Sequence, residues 1–215
     1  MKYNHIIWDW NGTLLNDLRL CVTILNLSLE KRSIPPISIE DYKKNFLFPI
    51  KSFYENIGFD FQKESFEESN EEFHKNFENN FKTLALQPYA KETIASIKSL
   101  GKTQSILSAT MQEKLVEQVS FFSLESFIDN IVGLQNTPSG FGKEHEGREL
   151  LSYVEVPKEE TIIVGDSMLD FNVSNSLGID CALVLNGHND YDRLKNTGSP
   201  VFKDIGDFFG WLKQS

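Results

Sequence analysis

The sequence predicts an α/β fold, a doubly wound parallel sheet with a small inserted all-helical domain, from three observations. From Pro88 onward, short apolar runs alternate with amphipathic helical segments, the rhythm of strand–helix crossover units. One further apolar run, Ile6-Ile7-Trp8, stands near the N-terminus. Between them, roughly residues 16 to 85 read as helix throughout. A sheet-forming chain interrupted after its first strand is better explained by an insertion than by two consecutive domains. The expected division is 1–15 and 86–215 for the sheet domain and 16–85 for a helical cap.

After the first strand, Asn16 or Asp17 caps a helix whose buried face is Leu18, Cys21, Val22, Leu25 and Leu29, and Pro35-Pro36 ends it. Ser38 with Asp41 forms a capping-box pattern for a second helix, and Gly58 stops a third that begins near Lys51. From Lys63 to Phe81, Phe66, Phe73, Phe77 and Phe81 mark an apolar stripe, expected to be core. Glu64, Glu67, Glu68, Glu71, Glu72 and Glu78 populate the other positions as a solvated face. Helices are then expected over Lys91–Leu100, Met111–Phe122, Glu144–Val154, Met168–Leu177 with Gly178 as the stop, and Ile205–Leu212. Strands are expected over Thr103–Leu107, Ile128–Gly133, Thr161–Val164 and Cys181–Leu185.

The 215 residues suffice for one sizeable core, and 40% hydrophobic with 24% charged residues is ordinary for a folded soluble chain. A net charge of −10 and a pI near 4.9 argue against general affinity for nucleic acid or an anionic membrane. Cys21 and Cys181 match no metal-ligand spacing and read as buried reduced thiols. No apolar run reaches the roughly 18 residues of a spanning helix and no leader pattern opens the chain, so the expected location is cytoplasmic.

Two strand ends carry acids. Ile6-Ile7-Trp8 delivers Asp9 onto the turn Trp10-Asn11-Gly12-Thr13, and Thr161–Val164 ends in Gly165-Asp166-Ser167-Met168-Leu169-Asp170. In an open parallel sheet the loops at the carboxyl ends of the strands converge, so Asp9, Ser108 and Asp166 are expected to meet. Carboxylates brought together repel, and magnesium, which prefers oxygen ligands, is the natural neutraliser; Asp9 and Asp166 are its expected ligands. Plainer readings stand beside these. Asn11-Gly12 is a hairpin turn signal. Asp166 and Asp170 suit a helix start with Ser167 as N-cap. Lys143 could be a surface lysine, and His145 is structural or exposed. Ser108 could begin a helix, although Thr110 with Glu113 makes the better capping box.

The segment from Ile6 to Leu14 resembles the opening motif of the haloacid dehalogenase superfamily of phosphatases and phosphotransferases, Asp-x-Asp-Gly-Thr, with Asn11 in place of the second Asp. Ile106-Leu107-Ser108, Lys143 and the Asp166–Asp170 segment follow in the order and approximate spacing of its other three motifs, so the resemblance spans nearly the whole chain. It implies a helical cap closing over the site and Asp9 as a nucleophile forming an aspartyl-phosphate. It also implies Mg²⁺ held by Asp9, the Trp10 carbonyl, Asn11 and Asp166, with Asp170 in direct or water-mediated support. Ser108, Ala109, Gly12, Thr13 and Lys143 would bind the phosphoryl group, with Asn11, Ser108 and Lys143 counted as catalytic beside Asp9.

Asn11 can orient but cannot titrate, and general acid–base help is worth about 10²–10⁴ in rate. That departure weakens a phosphoglucomutase-like reading and leaves a phosphoglycolate phosphatase-like enzyme ahead, a magnesium-dependent hydrolase of a small phosphorylated metabolite, monomeric or homodimeric. Two alternatives follow from the same residue. One is a phosphonoacetaldehyde hydrolase-like enzyme, in which Lys43, Lys44 or Lys51 would form a Schiff base. The other is a catalytically weakened protein that binds a phosphate ligand.

Overall fold

The computed structural model describes residues 1–135 and 142–215. Its centre is a six-stranded, all-parallel sheet of β1 (His5–Trp8), β2 (Thr103–Met111), β3 (Asn130–Leu134), β4 (Thr161–Gly165), β5 (Asp180–Val184) and β6 (Val201–Phe202), ordered β3-β2-β1-β4-β5-β6. Chain order reverses at β1, which pairs with both β2 and β4. Such a switch point opens a crevice at the carboxyl ends of the strands. Trp8 is in register with Ile106 and Val164, so Asp9, Leu107 and Gly165 lie level at that edge.

Both faces of the sheet are buried, as parallel strands require. Successive side chains of β1 point to opposite faces: Ile6 and Trp8 join a core with α5 (Ala90–Ser99), α6 (Gln112–Phe121) and α10 (Ile205–Leu212). Ile7 joins Leu107, Ile163 and Leu183 under α7 (Glu144–Tyr153), α8 (Met168–Leu177) and α9 (Tyr191–Lys195). Gly178, left-handed at φ 70°, ends α8 as its position in the sequence leads one to expect. The short β6 and α9 escape the sequence reading: two residues of strand and five of helix carry too little periodicity to register.

Between β1 and α5 lie α1 (Leu18–Lys31), α2 (Ile39–Asn45), α3 (Ile50–Asn56) and α4 (Phe66–Asn80). They carry an apolar cluster of their own, built from Leu18, Val22, Leu25 and Leu29 of α1 with Tyr42, Phe53, Tyr54 and Phe59. Ser38 caps α2 reciprocally, accepting from the Asp41 amide at 3.0 Å and donating to its carboxylate at 2.6 Å. Arg32 clamps the end of α1 to Glu64 through two 2.8 Å hydrogen bonds from Nε. The Phe stripe of α4 is a correction to the expected all-core reading. Phe77 and Phe81 are buried, but Phe66 and Phe73 are half-buried and, with Phe77, face a cavity above the sheet edge.

A second correction concerns α6. Thr110 does not cap it; β2 runs on to Met111, and Thr110 donates from its amide to Ser108 Oγ at 3.1 Å and from its hydroxyl to Asn11 Oδ1 at 2.8 Å. The Thr110–Glu113 spacing is therefore incidental. Cys21 and Cys181 are buried free thiols, and no helix among the described residues is long and apolar enough to cross a membrane.

Candidate active site

Asp9 leaves the end of β1 with its amide fixed to the Val164 carbonyl at 2.9 Å. Its carboxylate meets Lys143, which enters from the N-cap position just before α7. Lys143 is fully buried; its Nζ also donates to the Leu107 carbonyl at 2.8 Å and lies 2.8 Å from Asp170 Oδ1. The other Asp170 oxygen ties down the turn after β4, accepting from the amides of Asp166 and Ser167 at 3.2 and 3.1 Å and from Ser167 Oγ at 2.8 Å. That turn aims Asp166, whose carboxylate accepts from Thr13 Oγ1 at 2.7 Å and from the His188 amide at 2.5 Å. One oxygen each from Asp9, Asp166 and Asp170 lies within 4.8 Å of the others, all three residues buried.

Burial, with the charge of Asp170 adding to it, pushes the Asp9 carboxyl well up, while Lys143 pulls the other way. Burial likewise raises Asp166, opposed by His188. Burial works against the Lys143 ammonium too, but the Asp170 and Asp9 carboxylates outweigh it and hold the lysine above its ordinary range. Asp9 and Asp170 thus share the Lys143 ammonium, and the nearest opposite charge to Asp166 is His188. The all-oxygen donor set and the residual negative charge fit a hard divalent cation such as magnesium.

The Asn11-Gly12 signal forms a real small turn. Leu14 and Leu15 amides donate to the Trp10 carbonyl at 3.0 and 2.8 Å, and Gly12 N donates to Leu15 at 3.0 Å. The Trp10 carbonyl, expected to face the metal, accepts from both the Leu14 and Leu15 amides of this turn, and its indole is buried and donates to Gln118 at 2.8 Å. Gly12 is left-handed at φ 81°, and a Cβ there would overlap both the Asp166 carboxylate and the His188 ring, so this turn admits only glycine. Ser108 is buried with Ala109 beside it, both bordering the cavity that Asp9, Asn11 and Asp166 also line. Among the lysines considered for a Schiff base, Lys43 donates to the Leu185 carbonyl at 2.7 Å and Lys44 pairs with Glu40 at 2.6 Å, whereas Lys51 borders the cavity. His145 is exposed, 3.6 Å from Glu149.

Sequence reasoning missed a second cluster. Asp17, read as a helix cap, makes no capping bond; it accepts from Asn11 Nδ2 and the Gly12 amide, each at 2.8 Å, and lies 3.3 Å from His188 Nε2. The other imidazole nitrogen of His188 lies 3.0 Å from the Tyr42 hydroxyl, and Cys21 completes the group. Burial opposes protonation of His188, but Asp17, Asp166 and Asp9 lift it to about 9. One signal was available: His188 sits in the loop after β5, at the same carboxyl edge as the acids. Asn11 is consequently clamped on both sides, donating to Asp17 and accepting from Thr110.

Residues 6–184 match the family model described as haloacid dehalogenase-like hydrolase. The chain belongs to this family. Pyrophosphatase PpaX of Halalkalibacterium halodurans is 23% identical over 186 residues, covering 86% of this chain and 84% of that protein. A predicted phosphatase from Clostridium acetobutylicum has the same fold, with a TM-score of 0.82, 19% identity and 99% of each chain covered. So does a predicted phosphoglycolate phosphatase from Haemophilus somnus, at a TM-score of 0.75 and 18% identity, again over 99% of both chains. In this haloacid dehalogenase-like hydrolase, the switch point at β1 brings the acids after β1 and β4 to one edge, and Asn11 is held between Asp17 and Thr110.

Proposed function

We propose that the protein is a magnesium-dependent phosphatase that hydrolyses a small phosphorylated metabolite through an aspartyl-phosphate on Asp9, with residues 16–85 acting as the cap of a core formed by 1–15 and 86–215. The observation that carries this reading is the buried Asp9 carboxylate at the switch point, held by Lys143 and facing Asp166 and Asp170 at the floor of a cavity. Asp9, Asp166 and Asp170 would hold the magnesium, which supplies the positive charge that lets an anionic nucleophile approach an anionic phosphate.

The Asp9 oxygen attacks phosphorus as the bond to the ester oxygen breaks, and the departing alcohol takes its proton from water. A water molecule then attacks the same phosphorus, the bond to Asp9 breaks, and inorganic phosphate leaves. Lys143 keeps Asp9 oriented and offsets its charge, and Ser108 Oγ is a donor for a nonbridging oxygen, while the Thr13 hydroxyl, already donating to Asp166, positions that carboxylate. Asn11, held by Asp17 and Thr110, orients without moving a proton. The work is alignment and electrostatics rather than acid catalysis.

The test is phosphate release from p-nitrophenyl phosphate, phosphoglycolate, pyrophosphate and sugar phosphates, with and without magnesium, beside Asp9→Asn. Release that needs the metal and falls more than about 10³-fold in the variant is the expected result. Release from none of these, or release indifferent to Asp9, would sink the proposal.

A further inference from the structure

We infer that the ester cleaved here carries an uncharged, largely apolar alcohol about the size of an aromatic ring or larger. This rests on the phosphatase reading above and narrows it. The cavity over the carboxylates is about 790 Å³, and it continues from Asp9, Ser108 and Asp166 up into the helical region. A phosphoryl group occupies only its floor. Volumes of this order take ligands of drug size, with a few polar groups fixing orientation inside a mainly apolar wall.

The wall has that character. Phe46 and Phe48 from the segment between α2 and α3, Ile50 of α3, Phe66 and Phe73 of α4 and Met111 of β2 all line the cavity, and all six are only half-buried. Their remaining exposed area is what an apolar leaving group would cover.

Charge points the same way. A substrate with a second anion, a carboxylate or another phosphate, needs a fixed cation at the far end of the cavity. Glu67, Glu71 and Glu78 of α4 border it instead, against Lys51 and Lys114. Lys114 Nζ is shared between Glu78 at 3.7 Å and Glu117 at 3.4 Å, and Lys51 is an exposed side chain whose Nζ sits 5.8 Å from the Phe61 ring. A border with more carboxylates than ammonium groups repels a second anion, while a neutral apolar group meets no such penalty. A polyhydroxylated sugar fares less well than either an alkyl or an aryl group, because most of the wall leaves its hydroxyls without partners.

The discriminating experiment uses primary-alcohol monoesters of similar leaving-group basicity, so that chemistry is held constant while the alcohol changes. Ethyl, n-butyl, n-hexyl and 2-phenylethyl phosphate would be compared with phosphoglycolate, all with magnesium and with p-nitrophenyl phosphate as a control. The expected result is a rise in kcat/KM of at least about 100-fold from ethyl to 2-phenylethyl phosphate, within the range that one methylene-sized contact can produce. Phosphoglycolate should fall at or below ethyl phosphate. In Phe73→Glu the ratio of 2-phenylethyl to ethyl phosphate should shrink; being measured within one preparation, that ratio is insensitive to the fraction folded. A flat or inverted series, or an anionic ester ahead of 2-phenylethyl phosphate, overturns this inference and leaves the phosphatase reading standing. Absence of metal-dependent release from every compound, the control included, overturns both.

Discussion

Two buried clusters meet at the Gly12 turn, Asp9–Asp166–Asp170 on one side and Asp17–Cys21–His188 on the other, and each brings three potential ligand atoms within 4.8 Å of one another. Their charges are arranged differently. In the second, Asp17 accepts two hydrogen bonds from Asn11 and Gly12 and faces a His188 that its neighbours keep protonated to about 9. The Cys21 thiol is pushed well up by burial and by Asp17, so it adds no charge. In the first, Asp9 and Asp170 share the ammonium of Lys143, and Asp166 has only the His188 charge that Asp17 already pairs with. One cluster is neutral within itself and serves to clamp the Asn11 turn; the other calls for a cation from outside. Donor type and spacing do not distinguish them, and internal charge balance does.

The sharpest way to break this contrast is Lys143→Met. Removing one partner of a buried pair leaves its carboxylates uncompensated, which costs about 3–5 kcal/mol. Urea unfolding in EDTA should show that loss, and magnesium should recover part of it. A change under about 1 kcal/mol would mean that Asp9 and Asp170 do not depend on this lysine.

Asn11→Asp probes the boundary between the clusters. The new carboxyl would replace the amide that donates to Asp17 at 2.8 Å, and like charges at that distance force one of the pair to keep its proton. A protonated carboxyl beside the leaving group is the acid the wild type lacks. Hydrolysis of alkyl phosphates should therefore quicken by about 10²–10⁴, and that of p-nitrophenyl phosphate, whose leaving group needs little help, by much less. Equal rates for wild type and variant on alkyl esters would show that another group already supplies the proton.

Magnesium binding separates the clusters without chemistry. At about 100 times its dissociation constant, a ligand bound only by the folded state adds about 2.7 kcal/mol, or roughly 5–10 °C in the melting temperature of a chain this long. Asp166→Asn should remove most of that shift, whereas Asp17→Asn, whatever it does to the baseline, should keep it. If Asp17→Asn abolishes the shift instead, the metal belongs to the other cluster.

The fold was largely legible because it is written in periodicity: apolar runs that end in Asp9 and Asp166, and helices stopped at residues such as Gly178. The acids could be brought together on paper because a parallel sheet has one edge where loops converge. What escaped depends on directions that spacing does not encode. Trp10 offers a carbonyl like any residue, and only the fold of the turn shows it accepting from Leu14 and Leu15. Thr110 has the spacing of a cap, but β2 carries on past it and turns its hydroxyl to Asn11. Phe66 and Phe73 share a helical face with buried Phe77, and whether that face meets core or cavity is decided by elements distant in sequence. His188 belongs to no motif, and its one signal is its place in the loop after β5, at the edge where the acids converge.

His188 also gives the finest test of the contrast. Its folded value is about 9, against about 6.5 for an unfolded histidine, because Asp17 and its neighbours favour the charged ring despite burial. A group raised on folding contributes fully below its unfolded value and loses that contribution as pH rises through the folded one. The stability advantage of wild type over His188→Gln should therefore be largest near pH 6.5 and shrink by on the order of 1–3 kcal/mol by pH 9, read by urea unfolding in EDTA. Asp9 and Asp166 are also raised, so their contributions fall in the same direction with pH. Both proteins contain them, and the difference between the two proteins chiefly reports His188. Added magnesium would bring positive charge next to the imidazole and move the window to lower pH. An advantage that stays flat from pH 6.5 to 9 would mean that His188 does not balance Asp17, and the second cluster would then need an outside cation as much as the first.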